Sequence, residues 1–219
     1  FFERYRRDFF ILMEYCPNFQ AQPQLLARLE AVSRVRVVRL PHLTEEEGRA
    51  YLVDALGEKF PEKLSSHSIY EYTGGNLRFL KDVVENIRQG TEEYFQFLPD
   101  TERAMERLFS GFCQEEYEYL EYLSVMEHGT DVQQLGSMLE ESPVKVMKVL
   151  DFLMRRRLLA ETDAGKHRML KIREKMVRDM IYGRISRFKR LELHKLAIRY
   201  YTEIYQRNKS EYFYLSELR

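Results

Sequence analysis

With 219 residues, of which 44% are apolar, the chain is long enough for one large domain or several small ones. Its 35 Lys and Arg residues balance 35 Asp and Glu residues, which excludes a bulk electrostatic preference for nucleic acid or membranes. Two cysteines, Cys16 and Cys113, give neither a disulfide framework nor metal-ligand spacing. The first residues lack the pattern expected of a signal peptide, and the sequence contains no apolar run of membrane-spanning length. We therefore expect a cytoplasmic protein without a membrane partner.

The first 41 residues predict the remnant of an α/β domain. Residues 9–13 form a continuous apolar run that suits a buried strand, and residues 23–32 have a helical period. Residues 33–40 then alternate Arg with Val, as a half-buried strand does. A strand, a helix and a strand in so short a segment are too little for a separate domain.

The next segment predicts a helical bundle. Thr44 and Glu47 have the spacing of a capping box at the start of a helix. Gly74 and Gly75 supply the positive-φ positions that end another helix, and Asn76 can cap the helix that follows. The predicted helices cover residues 45–56, 62–72, 77–89, 101–112 and 115–126.

A different pattern comes next, typical of a winged helix. Thr130 and Gln133 predict a capping box for a short helix, and Ser142 with the proline after it begins a second helix. A hairpin-like turn at residues 162–167 separates two short apolar segments. Together these signals predict a helix-turn-helix followed by a two-stranded wing.

The last part of the chain is predicted to be helical again. Ser210 is expected to begin a further helix, so this part is typical of the first hairpin of a helical-repeat, TPR-like array. Apolar and aromatic side chains, with one lysine stem, recur there every three to four residues. They are Ile185, Phe188, Leu191, Lys195, Ile198, Tyr201 and Tyr205.

Four stretches of the chain together resemble a known family. They are VVRLPHLTEEEGRAYLVDALG, IYEYTGGNLRFLKDVV, the predicted winged helix, and MVRDMIYGRISRFKRLELHKLAIRYY. In this order they are similar to the carboxy-terminal half of STAND-type signalling ATPases of the AAA+ class, and in particular to LuxR/MalT-type bacterial transcriptional regulators. The matching positions are residues 40–47, 75–80, 181–185 and 190–197.

The resemblance implies a mainly α architecture of four parts. Residues 1–41 would be the terminal part of an α/β nucleotide-binding domain, residues 42–112 a helical lid, residues 113–173 a winged helix, and residues 174–219 a helical hairpin that starts a repeat array. Lid and winged helix would form a nucleotide-dependent conformational switch in transcription regulation. The implied intramolecular partners are the nucleotide domain and the helical repeats, and the active state would self-assemble.

The resemblance also implies particular site residues. Gly75, Asn76 and Leu77 would form the lid corner next to the nucleotide, and Cys16 would occupy the sensor-loop position. Leu77 stands where the family has proline, and Cys16 where it often has arginine. The chain has no G-x-x-x-x-G-K-[ST] phosphate loop, so alone it is expected to bind no nucleotide. Either ATP or ADP with Mg binds a P-loop half before Phe1, or the chain is a scaffold module that has lost nucleotide.

A DNA-binding winged-helix protein of the AAA+ initiator type is the alternative. Residues 155–199 contain fifteen Lys or Arg against five acidic residues, whereas residues 91–141 contain thirteen acidic residues against two Arg. The basic block could bind a DNA backbone, or the two blocks could face each other inside the molecule. The candidate contacts to DNA or a partner are Lys145, Lys148, Arg155, Arg156 and Arg157.

Enzyme chemistry has little support in this sequence. The chain contains no G-x-S-x-G or H-E-x-x-H motif and no paired cysteines. His194 fits a packing and hydrogen-bonding role better than that of a catalytic base. We therefore name no catalytic or metal-binding residue, and any ATPase activity would belong to a longer protein.

Overall fold

The computed structural model describes residues 40–127, 129–164 and 167–207, together with Arg28 and Ala31. Several predicted features lie outside the described residues: the strands and helix within residues 1–39, the sensor-loop position Cys16, the tip of the predicted wing and the helix expected from Ser210. Contacts divide the chain into the units Phe1–Val38 and Arg39–Arg219. The described residues of the second unit are mainly helical with one small sheet, which confirms the coarse fold class.

The described helices and strands of this second unit are short, apart from the last helix. The helices are α1 Glu45–Leu56, α2 Ser66–Thr73, α3 Leu77–Gln89, α4 Pro99–Phe109, α5 Gln114–Val125, α6 Val132–Leu139, α7 Pro143–Arg155, α8 Lys175–Arg184 and α9 Arg187–Arg207. A 3₁₀ turn at Gly57–Lys59 follows α1, and β1 Leu159–Ala164 pairs antiparallel with β2 His167–Ile172. No helix in these ranges is long and apolar enough to cross a membrane.

Side-chain caps fix the starts of the first two helices, α1 and α2. The Thr44 hydroxyl accepts a hydrogen bond from the Glu47 amide at 3.2 Å, and the Glu47 carboxylate accepts one from the Thr44 amide at 2.8 Å. This is the predicted capping box. The second helix begins four residues later than predicted, because the Ser65 hydroxyl caps it by accepting from the Ser68 amide at 3.0 Å.

A continuous core joins helices α1 to α4 to the helices and hairpin that follow. Helix α3 buries one face made of Phe79, Leu80, Val83, Val84 and Ile87. The same cluster includes Leu120 and Leu123 of α5, Leu135 of α6, and Leu150 and Leu153 of α7. Apolar side chains at helical spacing therefore hold both parts of the unit in one core.

The capping box predicted at Thr130 and Gln133 is wrong by one residue. Asp131 is the N-cap of α6, where its carboxylate accepts from the Gln134 amide at 2.7 Å and the Gln134 side chain accepts from the Asp131 amide. Thr130 instead exchanges two backbone hydrogen bonds with Leu170 of β2. Because Thr130 pairs with the strand, the next residue, Asp131, is the N-cap of α6.

The apolar repeat predicted for the last part of the chain is divided between elements and faces. Helix α8 ends before Ile185, which is buried, and α9 then begins at Arg187. Phe188 is 84% exposed, and Leu191 and Ile198 are about half exposed, so they form an outer stripe on α9. The inner face of α9 carries Leu193, Ala197 and Tyr201, all buried.

Candidate functional site

The predicted lid corner, Gly75, Asn76 and Leu77, lies together with Gly74 in a two-glycine turn between α2 and α3. Gly74 ends α2 with a φ of +58°, and its amide donates to the Tyr70 carbonyl at 2.7 Å. Gly75 has a φ of +71°. The Asn76 side chain then accepts from the Arg78 amide at 3.1 Å and caps α3. The local sequence therefore accounts for the corner, because the two glycines adopt left-handed backbone angles and Asn76 caps the next helix.

Within residues 40–43, His42 and Leu43 lie directly against this corner. The Leu43 amide donates to the Gly75 carbonyl at 2.9 Å, and the His42 Nδ1–H donates to the Gly74 carbonyl at 3.1 Å. A Cβ atom on Gly75 would stand 2.1 Å from the Leu43 carbonyl oxygen. Glycine is therefore required at position 75 by the close approach of a second backbone as well as by its φ.

Glu174 closes the corner from the other side. It is the residue before α8, and its side chain lies against Gly74, where an added Cβ would be 3.1 Å from the Glu174 Cγ. Its Oε1 is 3.7 Å from the His42 Nδ1. We call this arrangement of residues 40–43, the corner and Glu174 the joint. It connects the segment before α1, the α2–α3 turn and the segment that follows the hairpin.

Burial is the largest influence on the pKa of both titratable groups of the joint, Glu174 and His42. Glu174 is 4% exposed, and burial raises the pKa of its carboxyl to about 7, although the nearby Arg173 guanidinium acts to lower it. Burial also lowers the pKa of His42, while its hydrogen bond to the Gly74 carbonyl acts to raise it. The joint thus holds two groups that both favour the neutral form.

Basic side chains fasten the hairpin and α8 around the joint. The Arg173 guanidinium donates to the Arg157 and Leu159 carbonyls, both at 3.1 Å, so it links the end of β2 to the start of β1. The Lys175 ammonium lies 4.4 Å from the centre of the Tyr72 ring, which joins α8 to α2. The joint is therefore held by contacts within the hairpin and by a contact between α8 and α2.

The structure places the corner residues in different environments. Gly75 packs against the Leu43 backbone and the Tyr70 ring, and the side-chain oxygen of Asn76 caps α3. Leu77 is 42% exposed, so its side chain is accessible to a ligand or a second domain. Sequence reasoning did not identify His42 or Glu174, because neither belongs to a spacing pattern and they lie far apart in the chain.

Two of the five basic candidates are engaged within the molecule. The Lys145 ammonium lies 2.8 Å from a Glu115 oxygen and 2.6 Å from a Glu141 oxygen, and these carboxylates raise its pKa. The Arg156 guanidinium lies 5.0 Å from the Phe152 ring centre and 5.5 Å from the Phe112 ring centre. In the described part of the chain, the exposed side chains of Lys148, Arg155 and Arg157 have no ion pair or ring contact.

The acidic and basic blocks are joined by ion pairs. Glu106 of α4 is paired with Arg184 of α8 at 3.2 Å, and Glu121 of α5 with Lys189 of α9. After α5, Glu127 lies 3.4 Å from Arg178 and 3.8 Å from Lys175. At least part of the acidic block is therefore neutralised by basic side chains of the same unit.

The remaining histidine and carboxylate side chains form no further candidate centre among the described residues. Within those ranges, no group of three His, Cys, Asp or Glu side chains could hold a metal ion. The His194 Nε2 lies 3.0 Å from the Tyr182 hydroxyl, and the two rings pack edge to face.

No protein-family model matches the chain, and no curated protein matches it. Any functional assignment therefore depends on the contacts of the joint and of the charged blocks.

Proposed function

We propose that the chain is a regulatory segment of a STAND-type signalling ATPase of the AAA+ class, in which the lid and a winged helix act as a nucleotide-dependent switch. One observation carries the proposal: the corner is held between residues 40–43 and Glu174. A displacement of residues 40–43 by a preceding nucleotide domain would act on the lid and on the segment after the hairpin together.

The order and packing of the later elements support the finer architecture of this proposal. Helices α6 and α7 followed directly by the β1–β2 hairpin fit a winged helix. Helix α9 has a buried inner face and an apolar outer stripe at Phe188, Leu191 and Ile198. A helix with apolar residues on both sides fits the first member of a helical-repeat array, since each repeat packs against its neighbours.

The internal ion pairs favour this switch over the DNA-binding alternative. Two candidate DNA contacts, Lys145 and Arg156, are already occupied by carboxylates and by aromatic rings. Four basic side chains of α8 and α9 also face acidic partners. Because a paired cation releases fewer counterions on binding a phosphate backbone, these contacts reduce the affinity expected for duplex DNA.

The test is isothermal titration of ADP and ATP, with Mg, into the protein that carries this chain together with a preceding P-loop half. Tight ADP binding that Leu77→Ala weakens severalfold is the expected result, because Leu77 is the exposed corner side chain and its truncation leaves the Asn76 cap in place. Val53→Ala is the matched control, since Val53 is 59% exposed on α1.

Two outcomes would contradict the proposal. Absence of binding to both nucleotides would leave a scaffold role, and equal affinities for the Leu77 and Val53 variants would remove the corner from the nucleotide site. A change of ADP affinity confined to the Leu77 variant would support the corner as a nucleotide-contacting part of the lid.

A further inference from the structure

The joint contains a titratable group that a nucleotide switch does not require. We propose that Glu174 is a proton-controlled latch, which keeps residues 40–43, the corner and the start of α8 together when its carboxyl is protonated and loosens them when it ionises. The latch would make the joint sensitive to pH near neutrality, independently of any nucleotide.

The position of the carboxyl supports this inference. Glu174 is 4% exposed, and its side chain packs against the Gly74 backbone. The His42 Nδ1 lies 3.7 Å from Oε1, which is beyond hydrogen-bond distance, and its proton is directed to the Gly74 carbonyl. An ionised carboxylate therefore loses hydration here without gaining a side-chain donor from His42.

The charged or titratable groups near Glu174 and His42 come from residues 40–43 and from the segments on either side of the hairpin. His42 belongs to residues 40–43, Arg157 precedes β1, Arg173 follows β2, and Lys175 opens α8. Arg173 uses its guanidinium on two backbone carbonyls, and Lys175 lies over the Tyr72 ring. Arg173 and the Glu174 backbone amide favour the ionised form, yet burial outweighs both.

The direction of the pH effect follows from proton linkage. The Glu174 carboxyl has a pKa of about 7 in the closed joint, against 4.5 when exposed. The closed joint then binds the proton more tightly, so closure is favoured at low pH and weakens as the pH rises through 7. His42 acts in the opposite direction, because burial lowers its pKa and the closed joint disfavours its protonated form.

The test is hydrogen exchange of the Leu43 amide, which donates to the Gly75 carbonyl and so reports opening of the joint. Protection is measured at about pH 6 and about pH 8, corrected for intrinsic exchange, in the wild-type chain and in Glu174→Gln. From the two pKa values, the Glu174 contribution lowers Leu43 protection about tenfold between these conditions. Glu174→Gln keeps the His42 contribution and should lack this tenfold factor.

A control and a second measurement keep the inference falsifiable. Glu62→Gln, at an exposed position, should retain the wild-type pH dependence. Carbon-13 NMR titration of the wild-type chain should show one glutamate carboxyl, assigned to Glu174, with a midpoint near 7, even if Glu174→Gln fails to fold. A Glu174 midpoint near 4.5, or an unchanged pH dependence in folded Glu174→Gln, would overturn the latch. Neither measurement uses nucleotide, so failure here is distinct from failure of the proposed ATPase role.

Discussion

Gly75 and Gly90 have the same φ of +71° but different surroundings, so they separate two reasons for glycine at a turn. A Cβ atom at Gly75 would overlap the Leu43 carbonyl, whereas one at Gly90 would meet nothing within 4 Å. The sequence predicted Gly75 as a helix-ending residue from its neighbours alone. It carried no sign of the backbone that packs on it, because residues 40–43 reach it only in the folded unit.

We expect Gly75→Ala to destabilise the chain much more than Gly90→Ala does. The left-handed φ alone costs about 1–2 kcal/mol at either site, and the overlap at position 75 should add roughly 1–3 kcal/mol by displacing residues 40–43. Urea unfolding followed by circular dichroism would measure both losses. Equal losses at the two sites would mean that residues 40–43 do not hold the corner.

At the scale of elements, the start of one helix can be capped by a side chain from another helix. Helix α4 has no side-chain cap of its own at Leu98. Instead, Asp82 of α3 accepts from the Leu98 amide and from the Thr101 hydroxyl, each at 3.1 Å. Burial raises the pKa of the Asp82 carboxyl, while these two hydrogen bonds act to lower it. A capping rule that looks only at adjacent residues cannot find such a partner.

Asp82→Ala should destabilise the unit by about 1–3 kcal/mol, because the buried Thr101 hydroxyl and the part-buried Leu98 amide lose their acceptor. Asp151→Ala is the control, since Asp151 is an exposed residue of α7, and its effect should stay within about 0.5 kcal/mol. Thermal and urea unfolding of the two variants would compare them. A loss at position 82 no larger than at position 151 would show that α4 needs no cap from α3.

At the scale of the whole molecule, the ion pairs explain how a chain with no net charge can carry strongly charged blocks. Glu121 is 10% exposed and Lys189 39% exposed, so their pair is partly shielded from water and salt. The pair of Glu192 and Lys195 within α9 is 67% and 70% exposed. Of these two pairs, only the first connects two helices, and it should therefore contribute more to stability.

A double-mutant cycle with Glu121→Gln and Lys189→Met should give a coupling free energy of about 1–2 kcal/mol in urea unfolding at low salt. The same cycle at Glu192 and Lys195 should give no measurable coupling, because water screens an exposed pair. Additive losses at Glu121 and Lys189 would mean that the acidic and basic blocks do not stabilise each other.

The sequence by itself determined the features that arise within a few residues. The mainly helical class, the capping box of Thr44 and Glu47, the glycine corner and the Asn76 cap all follow from local spacing and backbone preference. The roles proposed for the corner and the basic side chains, and the position of Cys16, stay predictions. The corner and Cys16 came from a family pattern and the basic side chains from the charge of the predicted winged helix, so none of them came from contacts.

Only the tertiary structure decided which distant groups meet. In the folded unit, His42 and Glu174 lie at the corner. Thr130 pairs with Leu170, so that Asp131 rather than Thr130 caps α6. Lys145 lies between two carboxylates. Such pairs have no period in the sequence. Their partners are selected by burial of a shared core and by the hydrogen bonds and charges that this burial leaves to be satisfied.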